Sequence, residues 1–178
     1  MRLPLAVAEK YAAKIIAELA PLCEPDPSAG SGQVRCVVAG SVRRRRPFVN
    51  DLDFVAIPRD YEAFRRRILE HCNPILHGDS NFSVETTTGI QLDFFLAQPD
   101  CPDMFFPART NWGTVLVCRT GSTQHNIYLS QRAEELGLHW NPYRGVLNEE
   151  RNIIASATEE DIFKALKLEF VPPEKREV

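Results

Sequence analysis

The sequence predicts an α+β fold built as two small lobes, and three observations carry that expectation. Apolar residues recur at helical steps in some runs and at strand steps in others. These runs intermix without the regular strand–helix–strand alternation of a doubly wound sheet. Three prolines, Pro99, Pro102 and Pro107, then punctuate the chain as a hinge region between two groups of elements.

The elements follow in order. Leu5, Ala8, Ala12, Ile15 and Leu19 recur at three- and four-residue steps, which predicts an amphipathic helix over 4–20. Pro4 suits its first turn and Pro21 marks its end. Residues 24–32 form a polar Pro/Gly/Ser loop. Strands are expected near 34–39 and 51–57, a helix near 60–71, and strands near 81–87 and 90–97 joined through Thr88-Gly89 as a hairpin. Beyond the prolines, a short apolar helix from Trp112 to Arg119 is broken at Gly121. A second, from about Ser122 to Leu136, ends at Gly137. Residues 139–147 read as strand, turn and strand, with Trp112, Trp140 and Tyr143 as core residues. Thr158 caps a last helix running to Leu166, with Glu159, Glu160 and Asp161 in its first turn where the helix dipole favours acids. The expected lobes are 1–107 and 108–178.

Composition narrows the class. A chain of 178 residues with 44% hydrophobic and 25% charged content is an ordinary globular protein, long enough for one moderate core or two small ones. No apolar run approaches a membrane span, and Glu9, Lys10, Lys14 and Glu18 interrupt any secretory core near the start. Cys23, Cys36, Cys72, Cys101 and Cys118 are odd in number and lack metal-type spacing, which predicts reduced thiols. The expectation is a soluble, cytoplasmic, monomeric protein with no membrane partner. Net charge is −3, but bases concentrate at Arg43–Arg46 and Arg65–Arg67. The first run lies beside the candidate site, whereas the second fits a solvated face equally well.

The most informative segment runs from Val37 to Val55. An apolar strand enters a turn at Gly40-Ser41, passes four arginines, and leads into a strand bearing Asp51 and Asp53. Alternate strand residues share a face, so the two carboxylates lie together while Leu52 and Phe54 point the other way. The run Ile90–Phe95 alternates similarly and contributes Asp93. An Asp-x-Asp pair alone also fits a hydrated strand end. Here the pair sits among Leu52, Phe54, Val55 and Ile57, and two carboxylates ~4 Å apart repel by about 4 kcal/mol at an effective dielectric of ~20. A divalent cation removes that penalty. Three hard oxygen ligands beside an anion-binding turn suit Mg²⁺ and a nucleoside triphosphate. The turn offers backbone N–H groups, a hydroxyl and nearby guanidinium groups to phosphate oxygens.

Gly-Ser followed by Asp-x-Asp at this spacing resembles the signature of the DNA polymerase beta nucleotidyltransferase superfamily. Arg119-Thr120-Gly121-Ser122 with Asn126 resembles the Thr-Gly-Ser turn and nucleotide-contacting Asn of family X DNA polymerases. Residues 159–163 and 170–177 resemble the last helix and terminal strand of that family's thumb. The resemblance implies a nucleotidyltransferase palm over 1–107, a mixed sheet flanked by helices, and a small α+β thumb over 108–178. It is similar to the minimal palm-plus-thumb form. It implies a DNA-directed DNA polymerase that transfers a dNMP from a dNTP to a DNA 3′-hydroxyl with two Mg²⁺ ions, Mn²⁺ substituting, in short-gap repair synthesis. The partners implied are dNTP and primer-template or gapped DNA, held weakly and in a salt-sensitive way.

Residue by residue, the resemblance makes Asp51 and Asp53 ligands of both metals and Asp93 a ligand of the catalytic one, placed to receive the 3′-hydroxyl proton. Gly40, Ser41, Arg44 and Asn50 correspond to triphosphate ligands, and Ser41 also suits a helix cap. Cys118, Arg119, Gly121, Ser122 and Asn126 correspond to the groups around sugar and base. Four positions depart from the founding member of the family: Cys118-Arg119 replaces two aromatics, Ser130 a template-contacting Arg, and Gln91 a basic residue near the primer phosphate. Two other readings stand beside this one: a template-independent or other-acceptor nucleotidyltransferase, and a non-catalytic DNA-binding module.

Overall fold

The computed structural model describes residues 2–27, 32–102, 107–108 and 110–177. The chain divides into two compact units, Met1–Leu96 and Ala97–Val178, so the division lies ahead of the proline-marked boundary expected at 107.

The first unit opens with a two-residue strand β1 (Leu3–Pro4) and helix α1 (Leu5–Leu19). Strand β2 (Cys36–Val38), the single-turn helix α2 (Gly40–Arg43), strand β3 (Phe48–Val49) and strand β4 (Asp51–Ala56) follow. Helix α3 (Tyr61–Leu69), capped by the Asp60 carboxylate on the Ala63 N–H, leads into β5 (Cys72–His77), β6 (Asn81–Thr86) and β7 (Gln91–Leu96). The five longer strands form one mixed sheet in the order β2-β4-β7-β6-β5. Only β4 and β7 run parallel, in a register that sets Leu52 against Leu92, Asp53 against Asp93 and Phe54 against Phe94.

Strand alternation decides what each face of this sheet does. Leu52, Phe54, Phe82, Val84, Leu92 and Phe94 are all buried and form one core with Ala8, Ala12 and Leu19 of α1 and Phe64 and Ile68 of α3. Phe94 stacks between Phe54 and Phe82 at centroid separations of 5.1 and 5.0 Å, and Phe64 meets Phe94 edge-on at 5.9 Å. Each such aromatic pair adds about 0.5–1.5 kcal/mol beyond the area it buries. The residues between them in sequence, the acids included, take the opposite face.

The second unit begins with a two-residue ladder, β8 (Cys101–Pro102) with β9 (Pro107–Ala108). Helices α4 (Trp112–Thr120) and α5 (Thr123–Glu135) come next, then strands β10 (His139–Asn141), β11 (Gly145–Leu147) and β12 (Ile153–Ala155) in one antiparallel sheet, and helix α6 (Glu159–Ala165). Helix α4 is buried along most of its length, which its apolar sequence requires. Gly113 allows it to touch the backbone of Thr158, where a Cβ would overlap. Val117, Leu129, Ala133, Val146, Ile162, Phe163 and Leu166 make the core.

Several expectations need correction. Residues 72–77 form a strand, because Pro74 sits at a bulge on the sheet's edge, where a missing N–H donor is tolerated. Residues 153–155 form a third strand of the second sheet. The terminal strand expected over 170–177 is absent: Pro172 and Pro173 remove ladder donors, and Pro173–Lys175 turns as a 3₁₀ helix. Tyr143 is exposed rather than core, whereas Trp112 is buried and Trp140 is half-buried against the core. The expected hairpin turn has Gly89 at φ +77°. Cys23, Cys36, Cys72 and Cys118 are free thiols. Residues 28–31 of the loop expected over 24–32 lie outside the described residues, as do 103–106 of the hinge region.

Candidate active site

In the first unit the acids sit on two adjacent strands. Asp51 and Asp53 project from one face of β4, and Asp93 on β7 is the direct register partner of Asp53. All three side chains are half-buried. Ser83 on β6, opposite Asp93 in the ladder, donates its hydroxyl to Asp93 Oδ1. Gln91 Nε2 donates to both Asp93 oxygens at 3.0 and 3.1 Å. Ser83 was not singled out from the sequence; only the β6–β7 register brings it to the acid.

Burial pushes the Asp51 carboxyl above the ordinary carboxylate range, and the Asp93 charge pushes it the same way. Its own backbone N–H and the Arg44 guanidinium oppose that shift. Like charges thus crowd the site, and one arginine partly offsets them.

The turn before β4 fits tightly against these acids. Gly40 has φ +53°, a left-handed backbone that other residues rarely adopt, and a Cβ there would overlap Asp53 Oδ2. The Ala39 N–H donates to the Asp53 carbonyl at 2.8 Å, so turn and strand are joined through backbone as well. Ser41 lies inside α2, and its hydroxyl is buried without a hydrogen-bond partner among the described residues. It caps nothing, since α2 has no side-chain cap. Arg44 ends α2 half-buried, and Asn50 is exposed in the bend between β3 and β4. Arg67, by contrast, pairs with Glu18 at 3.0 Å and Glu70 at 2.7 Å within the chain.

Among the described residues no three His, Cys, Asp or Glu side chains converge as a ready-made metal cage. The donor chemistry nonetheless fits a divalent cation. The candidate ligands are hard carboxylate oxygens on neighbouring strands, and the burial and nearby Asp93 charge that raise the Asp51 carboxyl disfavour an ionised form that a cation would restore.

The remaining candidates gather in the second unit, where α4 meets α5. Ser122 caps α5, its Oγ accepting the His125 N–H at 3.1 Å. A Cβ on Gly121 would overlap His125 Nδ1 and lie 3.0 Å from Asn126 Oδ1. Asn126 Nδ2 donates to the Cys118 carbonyl at 2.8 Å, and its Oδ1 is buried without a partner among the described residues. Arg119 lies over the Tyr143 ring, 5.6 Å from its centroid, and donates to the Tyr143 hydroxyl at 3.1 Å. Tyr143 joins this group only through the β10–β11 turn.

Residues 115–177 match a family model described as the DNA polymerase beta thumb. The chain is also similar to the DNA polymerase/3′-5′ exonuclease PolX of Bacillus subtilis (strain 168), 35% identical over 147 residues that cover 78% of this chain and 24% of that protein. It therefore spans about a quarter of that relative's length. Two structures of Leishmania infantum polymerase beta share the fold over 99% of this chain. One, a ternary P/T complex, is covered over 77% at 16% identity with a TM-score of 0.73. The other, a ternary gap complex, is covered over 71% at 15% identity with a TM-score of 0.75. No helix among the described residues is long and apolar enough to cross a membrane. The second unit thus resembles the polymerase beta thumb, most of the chain resembles part of a PolX protein, and its fold is shared with polymerase beta.

Proposed function

We propose that this chain is a DNA-directed nucleotidyltransferase that adds a dNMP from a dNTP to a DNA 3′-hydroxyl and releases pyrophosphate, acting in short gaps. The observation that carries this reading is the close fit of Gly40 on Asp53, on a strand paired with the one bearing Asp93, next to a Ser41 hydroxyl that is buried without a partner among the described residues. Residues 1–107 act as the palm and residues 108–178 as the thumb.

Asp51, Asp53 and Asp93 hold two divalent ions, which when bound neutralise charge on the attacking and leaving oxygens of the transferred phosphoryl group. The Ser41 hydroxyl and the Arg44 guanidinium bind triphosphate oxygens, and Gly40 and the Asn50 N–H allow close backbone approach. Asp93 accepts the 3′-hydroxyl proton at a carboxylate oxygen that Gln91 and Ser83 orient. In the second unit, Gly121 and Ser122 shape the turn for the sugar. Asn126 reads the base through its Oδ1, which has no partner among the described residues, and Cys118 and Arg119 flank it. The thumb match supports a DNA acceptor over other acceptors, and the gap and P/T complexes of the structural relatives point the same way.

Primer extension on single-nucleotide gaps and on primer-template, with and without template, in Mg²⁺ and in Mn²⁺, tests the proposal. Template-directed addition is expected in both metals. Addition that ignores the template, or none at all, would replace this reading with one of the alternatives.

A further inference from the structure

The C-terminal segment carries no strand, yet it holds a fully buried charge. The Arg176 side chain is 0% exposed. Its Nη1 donates to Glu159 Oε1 at 2.5 Å and its Nε to the Val171 carbonyl at 2.8 Å. The guanidinium carbon lies 5.1 and 5.4 Å from the ring centroids of Phe163 and Phe170. Desolvation largely offsets the attraction within a buried ion pair, so such a pair specifies a position more than it adds stability. The position specified is visible in the backbone: the Arg176 carbonyl accepts the Ser122 N–H at 3.0 Å. Ser122 in turn caps α5, and its carbonyl accepts the Asn126 N–H at 3.0 Å.

We propose that Arg176 is a positioning residue whose side chain, locked onto Glu159, Phe163 and Phe170, fixes the carbonyl that holds the Gly121–Ser122 turn and so sets where Asn126 stands. Its kinetic consequence rests on the nucleotide-transfer reading, while its structural consequence does not. A backbone carbonyl exists at every residue; only a side chain clamped at several points makes this one stationary. The sequence gives no hint of this, because Glu159, Ser122 and Arg176 meet only in the folded unit.

The test uses the full chain. Arg176→Met keeps an apolar stem of similar length in the aromatic slot and removes the donors, and Arg176→Lys keeps the charge but loses the planar fork. By NMR, amide exchange at Ser122 should quicken about tenfold in Arg176→Met, relative to Leu129 in the interior of α5. In primer extension, KM for dNTP should rise about tenfold while kcat stays within about twofold, with Arg176→Lys between wild type and Arg176→Met. Should Arg176→Met fail to fold, Arg176→Lys is read by the same two measurements. Wild-type protection of Ser122 in the folded variants, or a fall in kcat with unchanged KM, would overturn the proposal. A wild-type protein that extends no primer refutes the transfer reading instead, and the Ser122 exchange then decides the positioning role alone.

Discussion

The carboxylate of Asp53 occupies the space that a side chain at Gly40 would need. A turn residue and a strand residue are thereby pressed together, and the backbone at Gly40 adopts φ +53° to permit it. Gly40→Ala therefore combines a left-handed backbone penalty of roughly 1–2 kcal/mol with overpacking of about 1–3 kcal/mol. The expected loss in a urea melt is about 2–5 kcal/mol, with nucleotide transfer falling alongside. A variant as stable and active as the parent would show that the turn and the acid are not coupled.

Asp51 links pH to stability. Its carboxyl is raised above the ordinary range by burial and by Asp93, so the folded state binds that proton more tightly than the unfolded chain does. The favourable contribution is present at acid pH, is lost as pH rises through the raised value, and leaves a charged, crowded carboxylate at neutral pH. Asp51→Asn should accordingly raise the metal-free melting temperature at neutral pH, and the gain should vanish at acid pH. Mg²⁺ should raise the melting temperature of the parent but less that of the variant. A variant destabilised at neutral pH would contradict the crowding.

Each of Asp51→Asn, Asp53→Asn and Asp93→Asn should abolish transfer while leaving the circular dichroism spectrum native, because each removes ligand charge at nearly constant volume. Turnover retained in any one of them would remove that residue from the catalytic set.

The Ser41 hydroxyl gives a test that separates ligand from scaffold. It is buried without a partner among the described residues, so Ser41→Ala should leave the ligand-free stability unchanged or slightly higher. Hydrogen bonds to charged groups are worth about 1.5–3 kcal/mol, so the same change, and Arg44→Ala, should weaken dNTP binding by about ten- to a hundredfold in titration calorimetry. Unchanged affinity in Arg44→Ala would assign that guanidinium to offsetting Asp51 alone.

DNA affinity should fall steeply with salt, by about 0.9 log units per neutralised phosphate for each tenfold rise in concentration. Because Arg67 is already paired with Glu18 and Glu70, Arg67→Ala should leave that slope unchanged, whereas Arg45→Ala, at an exposed position, should lower it. Fluorescence anisotropy across a salt series measures both.

What the chain determined locally is what depends on short spacing. The two-residue period puts Asp51 and Asp53 on one face and Leu52 and Phe54 on the other. The three- and four-residue period produces α1, and the caps at Asp60, Ser122 and Thr158 start their helices through side chains a few residues from the N–H groups they satisfy. Tertiary structure alone decided which distant strands became neighbours. The parallel β4–β7 pairing that sets Asp53 against Asp93, the Ser83 hydroxyl on Asp93, the edge strand through Pro74, and Arg176 buried against Glu159 all depend on non-local contact. The strand pairings of the first unit follow from burying Phe54, Phe82 and Phe94 together in one core, and that energy belongs to no segment by itself. The terminal segment shows the reverse case: a strand expected from resemblance gave way because Pro172 and Pro173 offer no ladder donors and the Arg176 side chain satisfies the carbonyl of Val171 instead.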